Sequence, residues 1–264
     1  MKPAAPETTG TAPAPVGPLA RDRINQNTNK KSTMKKAIAL LIALLGAANL
    51  PAQGTLPAYT VAVDFPFATK YVFRGIEVTK DCIQPSVTFT SGNFNASVWT
   101  SQPVTQNLDN EFDFVANYDL PLNKDWKTTL GATTYYYPEL DGSTGGKRST
   151  FEPKLSLTGP LGPVSSTWTA YYDLTLKNTT VEAVFGYSVP MQGSKKDTMD
   201  FGATVAHVAV DRGNDYDYCH LSAKATFRPK DNLTVYAGVI YASNNLNGAK
   251  DNLVYFTAGV TVAF

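Results

Sequence analysis

A two-residue alternation of apolar and small or polar side chains, sustained to the last residue, is the feature that most narrows what this chain can fold into. Counting back from Phe264 gives Val262, Val260, Ala258, Phe256 and Val254, while the other parity gives Ala263, Thr261, Gly259, Thr257 and Tyr255. A period of two puts the first row on one face of a strand and the second on the other. A soluble domain ordinarily lets its terminus fray in water. A closing strand between lipid and a polar lumen would instead carry this apolar row to its end.

The same period recurs upstream without a convincing helix. It predicts a first strand from Tyr59 to Phe73, its odd positions outward (including Phe65, Phe67, Tyr71 and Phe73), with a bend or bulge at Pro66. Gln84–Ser91 and Asn93–Gln102 flank Ser-Gly-Asn, a hairpin signal. Glu111–Leu120, Asp125–Tyr137, the Phe151–Leu157 alternation, a turn through Gly159–Pro163 and the Trp168–Leu174 row follow. Asn178–Val189, Thr198–Val210, Asp215–Phe227 and Leu233–Tyr241 precede the closing strand. The expected fold is therefore all-β, a closed antiparallel transmembrane barrel of about twelve strands, because a sheet in lipid tolerates no free edge. An even count brings both ends to the periplasm, with short turns there and longer loops outside. Outward aromatics gather at two rims, Tyr59, Tyr118, Trp126, Phe227 and Phe264 against Phe73, Phe112, Tyr136, Phe151 and Tyr241. A soluble sandwich shows similar rows, so the choice rests on the leader and the terminal aromatic.

Residues 1–33 are rich in Pro, Ala, Thr and Asn and read as disordered or as an upstream extension from a mis-assigned start. Met34-Lys35-Lys36 and the apolar run from Ala37 begin a secretory signal over residues 34–54, too short to span a bilayer before Pro51. The barrel is expected over residues 55–264. The first 54 residues hold seven of the 23 Lys and Arg and two of the 22 acids, which leaves 16 bases against 20 acids. This mildly acidic balance argues against nucleic acid as a partner. Cys82 and Cys219 permit one disulfide but do not require it. Neither a cofactor motif nor a metal-ligand set is present in the sequence.

Two resemblances add to this reading. Thr257, Gly259, Val262 and Phe264 resemble the C-terminal signal read by barrel-assembly machinery. Lys70-Tyr71-Val72-Phe73-Arg74-Gly75-Ile76-Glu77 resembles the segment ending the first strand of the TorF-family porins, small bacterial outer-membrane barrels. Ser91-Gly92-Asn93-Phe94 and Tyr135-Tyr136-Tyr137-Pro138 match the same family, while Asp81-Cys82-Ile83 departs from it. The resemblance implies an outer-membrane location and a pore-forming role, and supplies no solute.

By parity the lumen would hold Asp64, Lys70, Arg74, Asp113, Asp119, Glu152, Lys154, Asp173, Glu182, His220 and Lys224. Twelve strands enclose a narrow passage or one filled by side chains, which suits small polar or ionic solutes. Arg74 leads these candidates, because Gly75 frees the backbone that aims it. Its structural alternative is an ion pair at the barrel mouth. Expected partners are outer-membrane lipids, the assembly machinery and small polar solutes. Two rival classes are a barrel hydrolase or acyltransferase built on His220 and Ser222 near Asp217, and an adhesive barrel using Pro138–Ser149.

Overall fold

The computed structural model describes residues 58–105, 108–140, 147–194 and 196–264. The expected extension at 1–33 and leader at 34–54 lie outside the described residues, as does the centre of the Pro138–Ser149 loop. Among the described residues fifteen strands form: β1 (Tyr59–Ala68), β2 (Tyr71–Phe73), β3 (Ile76–Thr79), β4 (Cys82–Ile83), β5 (Ser86–Ser91), β6 (Phe94–Pro103), β7 (Glu111–Pro121), β8 (Lys127–Tyr136), β9 (Ser149–Leu161), β10 (Val164–Tyr172), β11 (Thr179–Pro190), β12 (Thr198–Ala209), β13 (Tyr216–Lys230), β14 (Leu233–Asn244) and β15 (Asn252–Ala263).

Each strand from β6 to β15 pairs antiparallel with its sequence neighbour. The ring closes where β15 pairs β1, from Ala62 opposite Ala263 to Ala68 opposite Thr257. Short β4 and β5 together make one interrupted stave between β1 and β6. The wall thus has the twelve expected staves, with no edge left unpaired.

Alternation sets the two faces. Phe256 is 59% exposed, Leu221 and Val181 54%, although they stand in the middle of paired strands. A sandwich would bury such residues in a shared core, so their exposure decides against it. The opposite parity carries Glu, Asp, Thr, Ser and Tyr into the interior. Connections at one end are tight: Ser91 faces Phe94 across Gly92-Asn93, and Leu161 faces Val164 across Gly162-Pro163. Connections at the other end are longer, in keeping with the periplasmic and external sides of such a barrel.

Several expectations need correction. The first stave ends at Ala68; Tyr71–Phe73 leaves the wall as β2 and pairs with β3 in a separate hairpin. Tyr71 is buried, and Phe73 packs against its cluster, so neither belongs to an outward row or a rim girdle. Pro66 causes no bulge: it stands in register opposite Gly259. The interruption lies on the neighbouring stave at Gln84-Pro85, where Pro85 has no N–H to give. Gly159 and Pro160 continue β9, and the turn is Gly162-Pro163 alone. Cys82 is buried beside the hairpin root, whereas Cys219 lies in the outward row of β13, and both thiols are free.

Candidate functional site in the barrel lumen

The β2–β3 hairpin enters the barrel mouth. Phe73 pairs with Ile76, which leaves Arg74-Gly75 as a two-residue turn with φ of 48° and 80°. Positive φ at both central positions is the sign pattern of a type I′ turn, whose twist matches that of the strands it joins. The root of the hairpin packs on the first staves, Tyr71 against Ala68, Cys82 and Trp99. Its tip reaches the far wall. Arg74 Nη2 donates to Glu152 Oε1 at 2.7 Å and Oε2 at 2.9 Å on β9, with its guanidinium 5.1 Å from the Tyr171 ring centre on β10. Gly75 O accepts from Asn244 Nδ2 at 2.8 Å on β14, and Ile76 packs with Val208, Tyr216 and Tyr218. A Cβ on Gly75 would fall 2.7 Å from Tyr218 Cβ, so this approach requires glycine.

Charge anchors the hairpin sides as well. Lys70 and Lys250 each reach Glu77 at 3.3 Å. Partial burial pushes the Glu77 carboxyl up, but hydrogen bonds from Lys250 and Lys70 outweigh this and hold it below the usual range.

A recurring arrangement lines the wall: carboxylates held by hydroxyl groups. Glu152, 2% exposed, accepts from Tyr135 Oη at 2.9 Å in addition to Arg74. Glu182 accepts from Tyr171 at 3.1 Å and Tyr218 at 2.6 Å. Glu111 accepts from Tyr137 at 3.0 Å. Asp64 accepts from Tyr236 at 2.8 Å and Thr261 at 2.7 Å. Asp119 is bound by Lys127 at 2.5 Å and Thr129 at 2.6 Å near the short-turn end. Hydroxyl donors fix a carboxylate in place without cancelling its charge, in contrast to an ion pair.

The sequence-derived candidates therefore divide. Arg74 and Glu152 meet each other; Lys70 meets Glu77; Asp119 pairs with Lys127; Asp64 and Glu182 are hydroxyl-braced as described. Asp113 Oδ1 is buried without a hydrogen-bond partner, and so is His220 Nε2. Lys154 forms no ion pair among the described residues. Lys224 holds its ammonium 5.4 Å from the Tyr236 ring centre. Asp173 is a correction: it follows β10, and its carboxylate accepts from the amides of Thr175 and Leu176 at 2.7 Å, tying its own loop. The arrangement of His220 and Ser222 with Asp217 does not form either. Asp217 lies on the opposite face of β13, where its carboxylate accepts from His207 Nδ1 at 2.8 Å on the outer side. Parity reasoning missed Glu111, Asp200 and the inward tyrosines, although their even or odd positions within known strands carried that information. Among the described residues no group of three His, Cys, Asp or Glu stands ready to hold a metal ion.

The sequence profile of a family described as "Bacterial protein of unknown function (Gcw_chp)" matches residues 52–264. The chain belongs to the Gcw_chp family. No curated protein sequence matches it. Among solved structures, the Gcw_chp barrel is similar to the KdgM porin in complex with disordered oligogalacturonate, at 14% identity and a TM-score of 0.53, covering 77% of this chain and 99% of that one. The KdgM porin alone gives 13% identity and 0.51 over 77% and 99%. The NanC porin gives 14% and 0.49 over 76% and 98%. Identities this low speak for the fold. A closed, apolar-faced antiparallel barrel of this kind places the Gcw_chp protein in the bacterial outer membrane.

Proposed function

We propose that this barrel is a narrow porin-like passage for small polar or ionic solutes, constricted at its outer mouth by the β2–β3 hairpin. The observation that carries the reading is the hairpin tip crossing a polar lumen to Glu152 and Asn244. A barrel serving only as an anchor has no need of a charged constriction, whereas a passage uses one to screen by size and charge. The hydroxyl-braced carboxylates, with Lys154 and Lys224, supply the charged wall. Asp113 and His220 each keep a buried polar atom that no hydrogen bond satisfies, which suits an ordered water within the wall.

The finer family reading is that of the TorF-type porins, supported by the segment that forms this very hairpin. The likeness to KdgM, solved in complex with disordered oligogalacturonate, suits passage of polar solutes without naming one here. As partners we propose lipids for the outward row and assembly machinery for the C-terminal segment, where Phe264 remains outward and 51% exposed. An enzymatic reading gains nothing from the geometry, since Asp217 faces away from His220 and Ser222.

Purified barrel in a planar bilayer tests the proposal. Discrete single-channel currents in KCl, small for a porin, are expected. A folded barrel, verified by heat-modifiable migration, that passes neither ions nor small sugars into liposomes would overturn it.

A further inference from the structure

Between the hairpin and the short-turn end, the lumen contains a chamber of about 500 Å3 whose lining includes Asp64, Gln84, Asp200, Lys224, Thr226 and Tyr236. All six reach it from the inward parity of their strands or from the break at Gln84-Pro85. Asp64 is held by Tyr236 and Thr261, as above. Asp200 is held by Ser188 at 2.7 Å and Thr226 at 2.6 Å. Among the described residues neither carboxylate has a Lys or Arg nitrogen within ion-pair distance, and neither does Lys224 a carboxylate. Arg228 also lines the chamber, its guanidinium donating to Lys196 O. Both signs of charge are thus present without an ion pair between them.

Tyr236 organises this separation. Its ring carries the Lys224 ammonium on its face, and its hydroxyl holds Asp64. To do so it crosses β15 over Gly259, where a Cβ would fall 2.6 Å from the tyrosine oxygen. Lys224 and Asp64 therefore flank one aromatic ring as fixed poles of opposite sign. Asp200 stands directly opposite Lys224 on β12 and faces the same chamber.

We infer that this chamber is a selectivity subsite for small zwitterions, solutes carrying an ammonium and a carboxylate a few atoms apart. The solute carboxylate meets Lys224 and its ammonium meets Asp64, while the surrounding hydroxyls replace water. A singly charged solute gains at one pole and is repelled at the other; a zwitterion of matching polarity gains at both. The inference rests on the passage reading, since a subsite in the lumen matters only if solutes traverse it.

The test uses the folded barrel in detergent, titrated calorimetrically with γ-aminobutyrate, butyrate and butylammonium as probes. The zwitterion is expected to bind about tenfold more tightly than either singly charged probe, one charged hydrogen bond being the difference. Lys224→Met should reduce γ-aminobutyrate to the level of butylammonium, and Asp64→Asn should reduce it to the level of butyrate. Equal binding of the three probes, or a preference unchanged in Lys224→Met, would overturn the inference. If Asp64→Asn fails to fold on the heat-shift gel, Lys224→Met decides alone, because its ammonium makes no ion pair. KCl conductance of the same preparation separates the two ideas: a conducting barrel without zwitterion preference refutes the subsite, and a barrel that binds but never conducts refutes the passage.

Discussion

Replacing Arg74 with Asn isolates the latch between hairpin and wall. Asn-Gly is the pair a type I′ turn prefers, so the hairpin itself should be at least as well formed as before. What is lost is the guanidinium that meets both Glu152 oxygens in a site where the two side chains are 13% and 2% exposed. Removing one partner of a buried pair costs roughly 3–5 kcal/mol because the other charge stays uncompensated. Tyr135 still donates to Glu152, which favours the lower end. About 3 kcal/mol corresponds to a shift of roughly a hundredfold in favour of the undocked hairpin. The remaining anchors are the Asn244 bond, the Ile76 cluster and the pairs that Lys70 and Lys250 make with half-buried Glu77. Single-channel recording in a planar bilayer should then show larger or more frequent open events in Arg74→Asn. A second variant, Glu152→Gln, removes the buried charge instead, and the pair should show non-additive effects. Indistinguishable current histograms for wild type and a folded Arg74→Asn barrel would refute the latch, and make Arg74 a scaffold residue.

Gly75→Ala should undock the hairpin more severely, since it combines about 1–2 kcal/mol of left-handed strain with a clash on the Cβ of Tyr218; proteolysis of the external loop would report it. Lowering pH should loosen the same hairpin from its side. The depressed Glu77 carboxyl contributes fully above about pH 4.5 and loses its contribution as pH falls through its lowered value. Open probability should therefore rise in acid, and Glu77→Gln should flatten that response. Outward Ala223→Arg should cost about 2–4 kcal/mol if it lies near mid-bilayer, whereas inward Lys224→Ala should be mild, both measured by refolding into lipid. Equal tolerance at the two sites would contradict the assignment of faces.

The wall was legible because its information is local. Each side chain's parity says which face it takes, and closure follows once one face must meet lipid. Phe256, Leu221 and Val181 could be placed outward, and Asp64, Glu152 and Glu182 inward, from position alone. Prolines were harder to read. A missing N–H weakens a stave only where the ladder needs that donor, so Pro66 is carried in register while Pro85 breaks its strand.

The hairpin was misread for a physical reason. Parity assigns a face relative to the sheet that carries the strand, and Tyr71-Val72-Phe73 keeps the period of β1 after leaving its sheet. Thr69 is the last residue bound to β15, through Phe256. Beyond it both faces of the ribbon lie inside the barrel, so Tyr71 and Phe73 find aromatic partners on the wall instead of lipid. The segment contained a clue in Arg74-Gly75, a poor continuation of a long strand and a workable two-residue turn. Its partners, Glu152 and Asn244, stand 78 and 169 or more residues away in sequence, and no local pattern links them. The charged wall is similar: parity selects the acids, but only the folded barrel shows which are neutralised by a cation and which are merely held by a hydroxyl. That distinction governs transport, because an ion-paired carboxylate fills the lumen while a hydroxyl-braced one still acts on what passes.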